Sequence, residues 1–237
     1  MRKIIFVSLI LFLSANLPLF SQNQALEKEA MMQRFKDKEL TQLEYKDLVF
    51  AWRDLMDSIE YPLVPFDTVH QKVEYEYLHN LEGIPRETIV NRVSEWTAVT
   101  FGSTDGLLTQ QGNTSRLILN GSIEVLFPDL FMVWKNSWAG YVEKEMQNSS
   151  ICYFMLVFTI QEGRMRTRVV NINYQYTDPI SERSVDRALS SLFPISNKEK
   201  EEWKANITLI NETKKSLDIM TGLLVDYIKD FENDYNW

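Results

Sequence analysis

The stretch Ile151 to Gln161, ICYFMLVFTIQ, is apolar on both of its alternating faces. Cys152, Phe154, Leu156, Phe158 and Ile160 make one face; Ile151, Tyr153, Met155, Val157 and Thr159 make the other. Successive side chains of a strand point to opposite sides of a sheet, so such a segment belongs in the middle of a sheet, covered on both sides. Glu162–Gly163 and a second run, Met165 to Tyr176, follow it, and together they predict a hairpin. Helices can cover one face. The other is left for the N-terminal helix, an aromatic excursion of the chain, a second subunit or a ligand; docking of the N-terminal helix through Leu48, Trp52, Leu55 and Ile59 is the expectation, and a dimer swapping that helix satisfies the pattern equally.

The remaining elements are built around that hairpin. Gln24 to Ile59 lacks Gly and Pro and reads as helix, with Leu48, Trp52, Leu55 and Ile59 on one stripe; its less regular first half allows two helices. Pro62 and Pro65 stop it. Val73 to Leu81 alternates as a half-buried strand. Pro85 opens a helix carrying Ile89, Val93, Trp96 and Thr100, which Gly102 ends. Two strands follow, Leu107 to Gln111 and Ser115 to Phe127, joined at Gly112–Asn113. Pro128 to Ser150 is expected to be a loop or excursion bearing Phe131, Trp134, Trp138 and Tyr141. After the hairpin, Asn197 to Asp234 is a long amphipathic helix with Trp203, Ile207, Ile210, Leu217, Leu224, Ile228 and Phe231 on its apolar stripe.

The order is strand, helix, four strands, helix. It predicts an α+β fold with a mostly antiparallel sheet, helices on one face and an additional long N-terminal helix. The expected divisions are a signal peptide over 1–21, an N-terminal helical segment over 22–60, an α+β domain over 61–178 and a C-terminal helix over 179–237.

Arg2 and Lys3 followed by the apolar run Ile4 to Leu13 have the order of a secretory signal, with cleavage near Ser21 or Gln22. A periplasmic or secreted protein is therefore expected, with no transmembrane segment after signal removal. Losing Arg2 and Lys3 leaves 23 of the 25 basic residues against 33 acidic ones, a net charge of −10. That balance opposes a phosphate backbone, so nucleic acid is not an expected partner. Cys152 is the only cysteine, so no intrachain disulfide forms and stability rests on packing.

The strand–turn–helix piece YEYLHNLEGIPRETIVNRVSEW and the hairpin CYFMLVFTIQEGRMRTRVVNINYQY resemble the exported bacterial DUF4468 family, domains of unknown function with a TATA-binding-protein-like (TBP-like) fold. The likeness lies in the aromatic–apolar strand, the acidic–Gly turn and the Arg-rich return strand (Glu162, Gly163, Arg164, Arg166, Arg168). It spans Glu74 to Tyr176, a little under half the chain; the long aromatic excursion and the N-terminal helix depart from it. The resemblance implies the same element order and no activity. DNA binding does not follow from it, because fold does not carry function.

Chemistry-bearing residues are sparse. His70 and His79 have no second ligand at metal spacing, and no metal or cofactor is expected. Cys152 sits between Ile151 and Tyr153 and reads as a buried thiol. No Gly-rich phosphate loop, zinc-protease motif or nucleophile elbow occurs. Arg164, Arg166 and Arg168 recur at period two and form a row on one sheet face. Such a row either holds a carboxylate, phosphate or sulfated sugar, or guards an edge strand against pairing. Trp52, Tyr153, Met155, Trp134 and Trp138 are the candidate interaction surface. The expected function is an exported binding or interaction protein rather than an enzyme, its partner a protein or an envelope glycan, with a homodimer possible in principle. The alternative is a cell-envelope hydrolase whose acidic residues converge only in the fold.

Overall fold

A break near residue 38 divides the N-terminal helical run in two. The computed structural model describes residues 23–102, 107–134, 141–177 and 184–230, and in it helix α1 covers 23–36. Lys38 then takes a left-handed φ of 61°. Thr41 caps helix α2 (Gln42–Ser58) through a capping box: its Oγ1 accepts the Glu44 N–H, and Glu44 Oε2 accepts the Thr41 N–H at 2.7 Å.

Beyond Pro62 and Pro65, β1 (Phe66–Asp67) pairs with β2 (Lys72–Val73), and β3 (Tyr75–Asn80) enters the main sheet. Helix α3 (Arg86–Phe101) starts after Pro85 and stops at Gly102, whose φ of 66° closes the last turn. Strands β4 (Leu107–Gln111), β5 (Thr114–Trp134), β6 (Tyr141–Gln161) and β7 (Arg164–Thr177) follow as an antiparallel meander. A short strand β8 (Ser184–Ala188) and two 3-10 turns lead into α4 (Lys200–Lys229). The α+β fold class and the mostly antiparallel sheet are as the sequence predicts.

The main sheet runs β3-β7-β6-β5-β4, and β8 shares with β3 the outer edge of β7. A bulge separates the two pairings. The β6–β7 register slips between Tyr153 and Met155, and Asn171 takes up the extra residue at φ 54°, a conformation asparagine tolerates better than most.

Helices α3 and α4 cover the face carrying Cys152, Phe154, Leu156, Phe158 and Ile160, each at most 3% exposed. The Tyr174 hydroxyl meets Thr213 Oγ1 of α4 at 2.8 Å on this side. Gly121 makes room there, since a Cβ would stand 2.7 Å from Phe154 Cε2 and 3.1 Å from Phe101 Cζ. The apolar stripe of α4 is buried as expected. Thr221, which interrupts it in sequence, is buried too and returns its hydroxyl to Leu217 O at 2.9 Å.

The structure corrects two expectations. Pro128 to Ser150 is not an excursion. β5 and β6 stay in register from Phe127↔Asn148 out to Trp134↔Tyr141, because a lone proline with φ near −65° is compatible with extended chain. The N-terminal helices do not cover the second sheet face; they dock on the helical side. Trp52 packs edge-on against Trp203 of α4 at 5.1 Å and against Tyr61 at 6.0 Å. Glu27, 1% exposed, accepts the Tyr61 hydroxyl at 2.8 Å and the backbone N–H groups of Ile195 and Ser196 at 2.9 and 2.8 Å. An amphipathic stripe fixes that a helix docks, and α4 with its preceding turns offers the apolar partner surface.

Candidate functional site

With α3 and α4 on one side, the register places the alternate residues on an open face, and these line up in rungs across the strands. One rung is Glu124, Ile151, Gln175 and Asp186, on β5, β6, β7 and β8. Next come Ser122, Tyr153 and Asn173; then Asn120, Met155 and Val170; then Ile118, Val157, Arg168 and Glu76. Arg116, Thr159, Arg166 and Leu78 form the following rung, and Gln161, Arg164 and Asn80 stand at the hairpin end. The face is thus acidic at one end, apolar and aromatic through its middle, and cationic at the other.

Exposure varies along it. Ile151 and Tyr153 are 42% and 44% exposed, and Leu78 is 76% exposed. Val157, flanked by Ile118 and Arg168, is only 3% exposed. Long side chains beside a central valine can cover it with their apolar stems. The second face of β6 is therefore covered locally at Val157 and open toward Tyr153.

The arginine row predicted from the sequence exists, and its members differ. Arg168 lies 3.4 Å from Glu74 and Arg166 lies 3.9 Å from Glu76, both on the β3 side. Arg164 donates from Nε to the neutral Gln161 Oε1 at 2.7 Å, and Gln161 in turn donates to Thr114 Oγ1 at 3.0 Å. Arg116, one strand beyond β6, has no side-chain partner among the described residues. Two of the four cations are thus balanced by carboxylates and two are not. A shallow depression of about 610 Å3 lies at this end, lined by Leu78, Asn80, Thr159, Gln161, Arg164 and Arg166. The edge-guard reading of the row is overturned, because β7 lies inside the sheet between β6 and β3.

The other sequence candidates are scattered. Tyr153 is on the open face, its hydroxyl 3.3 Å from Gln175 Oε1, and Met155 lies one rung further in. Trp52 is in the helix layer, Trp134 ends β5 opposite Tyr141, and Trp138 lies outside the described residues, as does the expected signal peptide. Cys152 is fully buried under α4, and burial pushes its thiol up to about 12. His79 is on the helical side, where burial first, and Lys229 second, lower its pKa. His70 is exposed and holds Asp67 at 2.6 Å, a bond that keeps that carboxyl below its ordinary range. No group of three His, Cys, Asp or Glu side chains stands together at metal spacing among the described residues. A smaller hollow, about 300 Å3, sits at the β7 bulge between Gln71, Glu74, Asn171 and Ser190. Lys72 also lines it, a single cation beside Glu74, without the apolar rungs that adjoin Arg116 and Arg164. Sequence reasoning missed Arg116, Glu124 and Asp186, whose only signal was strand parity.

No protein family and no curated protein matches the chain by sequence. In structure it is similar to a DUF4468 family protein from Bacteroides ovatus, at 12% identity and a TM-score of 0.45, over 70% of this chain and 90% of that one. It is also similar to a TBP-like protein from Parabacteroides distasonis, at 14% identity and a TM-score of 0.48, over 70% of this chain and 97% of that one. These are the family and the fold whose names the sequence resemblance carries. Among the described residues no helix is long and apolar enough to cross a membrane.

Proposed function

We propose that the protein is an exported, non-catalytic interaction protein whose working surface is the open face of the main sheet. The observation that carries this is the pairing of exposed apolar residues with two unbalanced arginines, Arg116 and Arg164, on one continuous face of an otherwise acidic chain. Guanidinium groups recognise carboxylates and phosphates through parallel hydrogen bonds, and the adjoining apolar rungs add contact area that a free anion would not need. The partner is accordingly a protein surface with carboxylates beside apolar side chains. Duplex DNA is a poor match, since Glu74, Glu76, Glu124 and Asp186 share the face and the whole chain carries −8. Export rests on the signal-like first residues. The buried Cys152 lies on the helical side, away from this surface.

Hexaglutamate serves as a probe of the cationic end. Calorimetric titration at low salt should give saturable binding that weakens at least about tenfold in the Arg116→Gln/Arg164→Gln variant, as loss of two charge-assisted contacts requires. Equal binding by the variant would show that the arginines are not the anchor.

A further inference from the structure

The open face is complementary to itself. Of its carboxylates, Glu74 and Glu76 pair with Arg168 and Arg166, while Glu124 and Asp186 stand together on one rung, and Arg116 and Arg166 stand on another. Glu124 and Arg116 are eight residues apart on β5, about 27 Å at the rise of an antiparallel strand. Midway between them is the Asn120–Met155–Val170 rung. Glu124 and Asp186 have no ion-pair partner among the described residues, and neither has Arg116.

We propose that two copies of this chain pack open face to open face about a twofold axis crossing the strands at the Asn120–Met155–Val170 rung. Rotation about that axis reverses strand direction and keeps strand order. It sets Glu124 over Arg116 of the second copy, Asp186 beside its Arg166, and the Tyr153 rung over its Val157–Arg168 rung. Each pairing occurs twice, as an isologous interface demands. Tyr153, exposed on a single copy, meets the Ile118 and Arg168 side chains that flank Val157, and an arginine is a favourable neighbour for an aromatic ring. The loose Arg166–Glu76 pair at 3.9 Å leaves Arg166 able to turn toward Asp186. Aligned face-to-face sheets cross at a modest angle set by their twist, which leaves the central rungs in register and loosens the outermost. Five rungs across four strands present on the order of 500 Å2 per copy. The total, about 1,000 Å2, is at the lower bound for a specific interface, so the dimer is of micromolar strength and reversible. This inference rests on the reading of the open face as the working surface and names its first partner as a second copy.

Sedimentation of the full chain from about 1 to about 200 µM should show reversible monomer–dimer exchange, weaker at high salt. Arg116→Glu and Glu124→Arg should each weaken the dimer at least about tenfold, since each sets like charges against one another twice. The double variant Arg116→Glu/Glu124→Arg restores opposite charges at both contacts and should return to within about threefold of the original. Met155→Asp should leave the chain monomeric. A monomer throughout the range, a double variant as weak as the singles, or a dimer indifferent to Met155→Asp would each overturn the proposal. A chain that stays monomeric but binds hexaglutamate through Arg116 and Arg164 loses this dimer and keeps the wider reading; one that does neither loses both.

Discussion

Arg116, Arg164, Arg166 and Arg168 are one residue type in four different electrostatic settings. Arg166 and Arg168 face glutamates across β3, whereas Arg164 holds only an amide and Arg116 stands alone among the described residues. Period-two spacing made the row on β7 legible in the sequence. It could not reveal which members were balanced, because Glu74 and Glu76 reach them through a register that only the folded sheet defines. Arg116 was illegible for the same reason. His79 shows a comparable limit. Its place on the half-apolar strand indicated semi-burial, and the fold adds α4 and the Lys229 charge, both of which favour the neutral ring. With the folded pKa below the ordinary 6.5, the unfolded chain takes up the proton first. Stability should therefore be full above that range and decline as pH falls through it. Denaturation of the wild type and of His79→Gln between pH 8 and pH 5 checks this: the wild type should lose stability relative to the variant toward acid, and parallel curves would contradict it.

At the scale of elements, periodicity found α3, α4, β3 and the β6–β7 hairpin, since each buries one face and so carries a strong 3.6- or two-residue pattern. It misjudged the outer halves of β5 and β6, where Pro128 and mixed polarity imitate a loop, and it passed over β8, whose exposed and half-buried residues, SVDRA, carry no apolar alternation. The helix α2 stripe was read correctly as a docking surface and assigned to the wrong face. A stripe specifies its own burial and not its partner; for Trp52 on this stripe, Trp203 of α4 supplies that partner through tertiary contact. Trp52→Ala should accordingly cost about 3 kcal/mol, the lower part of the range for aromatic truncation because Trp52 is only partly buried. Urea denaturation measures the loss, and hexaglutamate affinity should be unchanged. If that affinity fell along with stability, α2 would have to act on the open face after all.

For the whole molecule, one sheet separates a packed side from a working side. Hydrophobic helices, the lone thiol and His79 gather on the first, while charge is graded along the second from Glu124 and Asp186 to Arg116 and Arg164. The net charge of −8 is compatible with a cationic end because the excess acid lies elsewhere, much of it on the helices. The central claim is that binding occurs on that graded face, and nuclear magnetic resonance mapping tests it directly. Titrating isotope-labelled protein with hexaglutamate should shift the backbone amides of Arg116, Thr159, Gln161, Arg164 and Arg166, with α4 left unmoved. Shifts centred on α4 or on the hollow around Gln71 and Asn171, with the arginine rungs silent, would contradict it.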